Sequence, residues 1–413
     1  MINVDEALAL IGQHLPAGRV SEVPLEDSLG HVLAEEIASD IDSPPYDKAM
    51  VDGYAVVSDD LADGRAELEV LEEITAGKVP TCDVGPGRCS RVMTGAPIPR
   101  GCDAMIMIER SELIEDTSAA SPTAESRQRV RLEDAPPSPG AHILNAGTIM
   151  RQGDVVLHEG DEIRPMEIGL LAEVGHGRVK VFDRPRVAIL ATGDELVSPE
   201  QRPQSGQIRN SNGPMLCAAV RRHGGQVLDL GVARDRRDAL VERITAGLEA
   251  DMLVLSGGVS AGVLDLVPGV LAEMGVKQVF HKVRLKPGKP LWFGVRSGGD
   301  HTSLVFGLPG NPVSSLVCFE LFVRPVMAAL SGHGFRQPPR IQAALAQSHQ
   351  VRGDRPTFFP ARVQTSGHPP QVALAPWKGS SDLRGLAGIN ALAYFPAGER
   401  AYTPGEMLEV ILL

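Results

Sequence analysis

Val187-Ala188-Ile189-Leu190 runs, one residue later, into Thr192-Gly193-Asp194-Glu195, and this junction decides the fold. A short apolar run closed by turn-forming residues reads as a strand buried on both faces, as strands are inside a parallel sheet. Two further runs end in the same way. Met252-Leu253-Val254-Leu255 precedes Ser256-Gly257-Gly258-Val259-Ser260, and Ser303-Leu304-Val305-Phe306 precedes Gly307-Leu308-Pro309-Gly310-Asn311-Pro312. Helical segments such as Met215 to His223 and Asp238 to Leu248 separate the strands, which predicts a parallel α/β sheet from Val187 to Leu330. The three loops should then meet at one sheet edge, where helix N-termini point free N–H groups outward and ligands bind. With a fourth loop, Lys286-Pro287-Gly288-Lys289-Pro290, the residue types suit a phosphate-bearing ligand and a metal ion.

Each motif carries a functional and a plainer reading. Gly257 and Gly258 let backbone N–H groups approach an anion, and the Ser260 hydroxyl adds a bond; an ordinary tight βα turn explains them equally well. Pro309, Gly310, Asn311 and Pro312 make a stiff loop before a helix from Val313 to Leu330, with Ser314 and Ser315 as caps or ligand contacts. Arg284, Lys286 and Lys289 gather cationic donors suited to phosphate or other oxyanion oxygens, against the alternative of a solvated basic loop. Thr192, Gly193, Asp194 and Glu195 stand where a dinucleotide fold carries G-x-G-x-x-G, which argues against an oxidoreductase. Hard carboxylates suit Mg²⁺, which makes Asp194 and Glu195 candidates, joined by Asp265 and then Asp235, while capping is the plainer reading of Asp194 and solvation that of Asp235.

Outside these loops, 413 residues exceed what one core usually serves, so several domains are expected. Aromatics are only 4% of the chain and the net charge is −12, which disfavours nucleic acid both as a stacking partner and as a polyanion. The apolar stretches read as too short to span a bilayer, and Met1 to Glu6 has no basic segment followed by an apolar one, so a cytoplasmic protein is expected. Five widely spaced cysteines without a C-x-x-C pair read as free thiols rather than a zinc site.

Apolar spacing at Leu8, Ile11 and Leu15, and again from Leu25 to Ile37, predicts two opening helices. Short β-branched runs punctuated by glycine and proline follow, giving a β domain over 44–143 in which Glu115 to Gln128 reads as a hairpin loop. Pro165 to Val174 reads as one helix, the α/β domain covers 184–332, and 333–413 reads as a small β domain.

The four loops in this order, with Asp52-Gly53-Tyr54-Ala55 and Thr94-Gly95-Ala96-Pro97-Ile98-Pro99, resemble the molybdopterin molybdenumtransferase family, which includes the C-terminal domain of gephyrin. The resemblance implies that 1–43 and 144–183 form one discontinuous helical linker domain, with the β domain inserted into it. It also implies a homodimer in which Asp52 and Thr94 act at the partner's crevice, and a reaction that inserts molybdate into adenylylated molybdopterin, releasing AMP with Mg²⁺. The Gly-Gly-Val-Ser and Gly-Asn-Pro loops would hold the pterin ligand, Glu195 and Asp265 the metal, and Lys286 and Lys289 the molybdate, joined by Arg355, Ser380 and Ser381. A molybdopterin adenylyltransferase is then a natural partner. Adenylyltransferase activity, or a gephyrin-like scaffold or pterin-binding paralogue, is the alternative reading. The chain departs from the family pattern at Gly147-Thr148-Ile149, where Gly-Glu-Asp is usual, at Ala49 for serine, at Asn210 for aspartate and at Thr357 for an acid.

Overall fold

The computed structural model describes residues 1–114, 128–258, 266–298 and 301–413. Two compact units emerge, one formed by 1–35, 159–164 and 178–413, the other by 36–158 and 165–177.

In the first unit, strands β1 (Arg186–Thr192), β2 (Gln226–Ala233), β3 (Met252–Ser256), β4 (Lys277–His281), β5 (Trp292–Gly298) and β6 (His301–Leu308) form one sheet in the order β2-β1-β3-β6-β5-β4. The first four run parallel, as expected. At one edge the parallel sheet is extended by antiparallel strands, β5 pairing with β6 and β4 with β5. Helices α1 (Asn212–Arg222), α2 (Arg237–Gly247), α3 (Val267–Glu273) and α4 (Pro312–Leu330) flank the sheet. The two-residue strand period sorts the core. Val187 and Ile189 join Met252, Val254 and Phe306 in one cluster with the helix Val4–Gly12 and α4. Ala188 and Leu190 join Leu253, Leu255 and Val305 in the other, against α2 and α3.

Helix α4 corrects the expectation about apolar length. Its 19 residues have a mean hydropathy of 1.7 and are long enough to cross a bilayer, yet 78% of the stretch is buried inside the protein. Phe319, Phe322, Val323 and Val326 of this helix pack into the core of the α/β sheet, which explains why it is so apolar. Beyond it, Arg340–Leu345, Thr357–Gln364, Gln371–Leu374, Ala391–Phe395 and Met407–Leu412 close into a barrel around Phe395, Val410 and Ala361.

The second expected opening helix is absent. Leu25–Asp27 makes one 3-10 turn, and Gly30 adopts φ +74°, which ends any helical path. Val32 and Leu33 are instead buried in extended bridges to Glu162 and Val181. Their apolar spacing belonged to a strand-like edge, so the N-terminal segment is helical only at Val4–Gly12.

The second unit is built on a six-stranded sheet in the order Ala104–Met107, Gly53–Val56, Arg88–Val92, Arg65–Ile74, Arg129–Glu133 and Ser111–Ile114. Ser111–Ile114 and Arg129–Glu133 pair antiparallel, so they are the stems of the expected hairpin. Its loop, 115–127, lies outside the described residues. The helix Pro165–Glu173 starts at its proline as the sequence predicts.

Candidate functional site

Strand order reverses at β1, which has β2 on one side and β3 on the other, and that switch point leaves a crevice beyond the strand ends. A cavity of about 650 Å³ occupies it. From β1 it is walled by Thr192, Gly193 and Glu195, from β3 by Ser256, Gly257 and Gly258, and from the loop after β6 by Pro309, Gly310, Asn311 and Pro312. Three loops expected to converge do so.

Their approach is close enough to dictate residue type. Gly258 has φ +64°, and a β-carbon there would lie 2.7 Å from both Thr192 Oγ1 and Val267 Cγ2. Gly310 leans on Gly257, so the two loops meet backbone to backbone. Asn212, at the start of α1, stitches them together: its Nδ2 donates to Ser256 Oγ at 2.8 Å and to the Gly310 carbonyl at 2.7 Å. Ser315 Oγ donates to the Pro309 carbonyl at 2.9 Å. This small buried network sets the cavity wall before any ligand arrives.

Asn212 is a site residue that the motif reading did not select, and so is Arg209, the arginine that lines the cavity. Arg209 holds its place by donating from Nε to the Gln201 carbonyl at 3.1 Å. The only sequence signal for either was position, directly ahead of a helix that follows a strand-loop connection.

The acidic candidates divide. Glu195 is exposed at the cavity and folds back over Gly193, where even a β-carbon would meet its Oε2 at 2.4 Å. Asp235 also lines the cavity, and it is tied to Asp194: Asp235 N–H donates to Asp194 Oδ1 at 3.1 Å and Asp194 N–H to Asp235 Oδ2 at 3.4 Å. Asp194 thus fastens two loops together. Ser260 and Asp265 lie outside the described residues. No group of three or more His, Cys, Asp and Glu side chains is gathered for a metal among the described residues.

Lys286, Lys289 and Arg355 do not line the cavity. Only Pro290 of their loop lines the cavity, while both lysines are exposed. The loop is docked on the C-terminal barrel, with the Lys286 N–H donating to the Pro356 carbonyl at 2.9 Å and Arg355 Nη1 to the Leu285 carbonyl at 3.1 Å. Burial, and second the nearby Lys286 charge, hold His349 below its usual 6.5. From the barrel, Ser381 and Leu383 reach the cavity rim, and the Ser380 carbonyl accepts the Val313 N–H at 3.1 Å, capping α4. Ser314 is buried behind this rim and does not line the cavity.

In the second unit, Asp52 and Thr94 are brought together. Thr94 donates from its hydroxyl and its N–H to Asp52 Oδ1, each at 2.6 Å, and these bonds, the hydroxyl first, hold the Asp52 carboxyl below its ordinary range. Gly53 opens a strand so close to its neighbour that a β-carbon would lie 1.9 Å from the Ile106 carbonyl oxygen.

Comparison with known proteins accounts for both units. Residues 2–175 match the MoeA N-terminal region (domain I and II), and residues 188–329 match a probable molybdopterin binding domain. Molybdopterin molybdenumtransferases of Staphylococcus epidermidis and Staphylococcus aureus are 31% and 32% identical, over 100% of this chain and 95% of each relative. The chain belongs to the molybdopterin molybdenumtransferase family. Two crystal structures of the molybdopterin biosynthesis MoeA protein from Pyrococcus horikoshii superpose with TM-scores of 0.83 and 0.78, at 31% and 29% identity, over 100% of this chain and 99% and 100% of theirs. Against the molybdenumtransferase pattern, the departures fall in distinct settings. Ile149 is exposed and Ala49 buried, Asn210 lines the cavity while accepting the Gly213 N–H at 3.0 Å, and Thr357 is buried beside Lys286.

Proposed function

We propose that this molybdenumtransferase-family chain binds adenylylated molybdopterin in the strand-end cavity, inserts molybdenum from molybdate at the dithiolene sulfurs and releases AMP. The observation that carries this reading is the convergence of the three loops at the switch point around a cavity that Asn212 holds open. Glycine backbone at Gly257, Gly258 and Gly310 admits a phosphate close to main-chain N–H groups, and Arg209 supplies a fork of charged donors in the same cavity. Ligand and loops are pre-arranged, so most of the rate gain comes from positioning.

A Mg²⁺ ion would suit this wall, with Glu195 and Asp235, the carboxylates that line the cavity among the described residues, to help hold it. Asp265 joins them by family resemblance. When bound, the ion neutralises charge on the departing phosphate. Lys286, Lys289 and Arg355 are assigned to molybdate, and Ser380 and Ser381 to its pocket rim. Asp52 and Thr94 are assigned to the crevice of a partner subunit in a homodimer, and a cytoplasmic molybdopterin adenylyltransferase supplies the substrate. The decisive experiment incubates the full chain with adenylylated molybdopterin, molybdate and Mg²⁺. AMP and active cofactor should appear together, and bound pterin with neither product would overturn the catalytic reading. Light scattering at twice 43.9 kDa supports the dimer, and an active monomer would refute it.

A further inference from the structure

A second cavity, of about 630 Å³, opens within the first unit beside the C-terminal part of α4. Its wall carries His223, Arg324, His333 and Arg336, and Glu162 is its one carboxylate among the described residues. A neighbouring cavity of about 150 Å³ shares His223, Ser331 and His333 with it. That neighbour adds His31, Arg184, Arg221 and Arg222, with no acid in its described lining. In a chain of net charge −12, Arg184, Arg221, Arg222, Arg324 and Arg336 line the groove made by these two adjoining cavities, and like charges brought this close favour an anion held between them.

The floor of the groove is built. Glu320 is the one charged side chain among the fully buried described residues, 3% exposed, and it sits on a π-helical stretch, Phe319–Val323, that interrupts α4. Such bulges often mark functional positions. Arg324 Nη1 donates to Glu320 Oε2 at 3.1 Å and to the Leu412 carbonyl at 3.0 Å, and His223 Nε2 lies 3.3 Å from Glu320 Oε1. A buried carboxylate costs stability unless paired, and here its pairing fixes an arginine and a histidine of the groove in place. Arg222 is held likewise, donating to the Leu413 carbonyl at 2.9 Å.

We propose that this groove binds a small ligand through a diphosphate or triphosphate group, at a site separate from the molybdenumtransferase cavity. Guanidinium forks match phosphate oxygens pairwise, and cations spread over two joined cavities serve a chain of phosphates better than one. A long polyanion would meet the repulsion of the acidic remainder of the molecule.

Calorimetric titration of the full chain with inorganic pyrophosphate, ADP, ATP and adenosine tests this. Pyrophosphate should bind, and Arg221→Ala with Arg336→Ala, both at exposed positions, should weaken that binding about tenfold or more while leaving the melting temperature unchanged. Lys286→Ala with Lys289→Ala should retain the binding component that the arginine variant loses. ADP and ATP binding tighter than pyrophosphate would identify a nucleotide as the source of the phosphates, and equal affinities an inorganic one. Three results would overturn the proposal: no pyrophosphate binding, pyrophosphate binding lost in the lysine variant but kept in the arginine variant, or adenosine binding as tightly as ADP.

Discussion

The strand-end crevice and the Asp52–Thr94 corner are both written as short glycine motifs, and they use glycine for opposite ends. At the corner, Asp52 Oδ1 takes both donors of Thr94 at an exposed position, and Gly53 lies against the Ile106 carbonyl with no room for a single carbon. In the crevice, Gly258 and Gly310 let loops approach one another, yet about 650 Å³ remains between them, with Arg209 and Glu195 on its wall. Glycine in these motifs therefore serves close strand packing in one place and an open cavity in the other. What separates the two is how much space remains after the segments have packed.

The sharpest way to break this comparison is Gly53→Ala. A β-carbon 1.9 Å from a backbone oxygen forces strands apart, so we expect a loss of about 3 kcal/mol and unfolding of the second unit's sheet, read by thermal melts. Near-parental stability would show that the corner has slack. Gly258→Ala should do the reverse: strain of about 1–2 kcal/mol that the fold survives, with AMP release down roughly a hundredfold because the wall has moved.

Lys286→Ala with Lys289→Ala should raise the molybdate requirement about tenfold or more with pterin binding kept, since a lost charge-assisted contact is worth about 1.5–3 kcal/mol. The reverse pattern would move these lysines to the phosphate. The single Lys286→Ala change has a second readout. His349 is held below 6.5 by burial and by Lys286, so its stabilising contribution is present above 6.5 and lost as pH falls through its lowered folded value. Removing the lysine charge should raise the His349 pKa toward 6.5 and shrink that acid-side loss, which proton NMR titration would follow. The smallest effect is expected for Thr94→Val, which should move the Asp52 pKa up toward 3.8 by removing its main hydrogen bond. An unmoved Asp52 would mean that its depression comes from elsewhere.

Much of the α/β domain was legible because strand and helix periods are local properties. The alternation in Val187-Ala188-Ile189-Leu190 sends residues to two different core clusters without reference to anything distant. The same reasoning failed at Leu25 to Ile37, where apolar spacing compatible with a helix was claimed by bridges to Glu162 and Val181, residues more than a hundred positions away. It also passed over Asn212, whose value lies in reaching Ser256 and Gly310 at once.

By itself, then, the sequence determined the buried strands, the loops that end them and the family to which they belong, since all of these rest on neighbouring residues or on short ordered motifs. Only the tertiary structure decided which loops share a cavity, that Lys286 docks on the C-terminal barrel, that Asp52 is bound by Thr94, and that Arg184 and Arg221 line a cavity next to that of Arg324 and Arg336. Those outcomes depend on contacts between segments far apart along the chain. Such contacts form only when the two faces of the sheet are buried, and no local periodicity carries them.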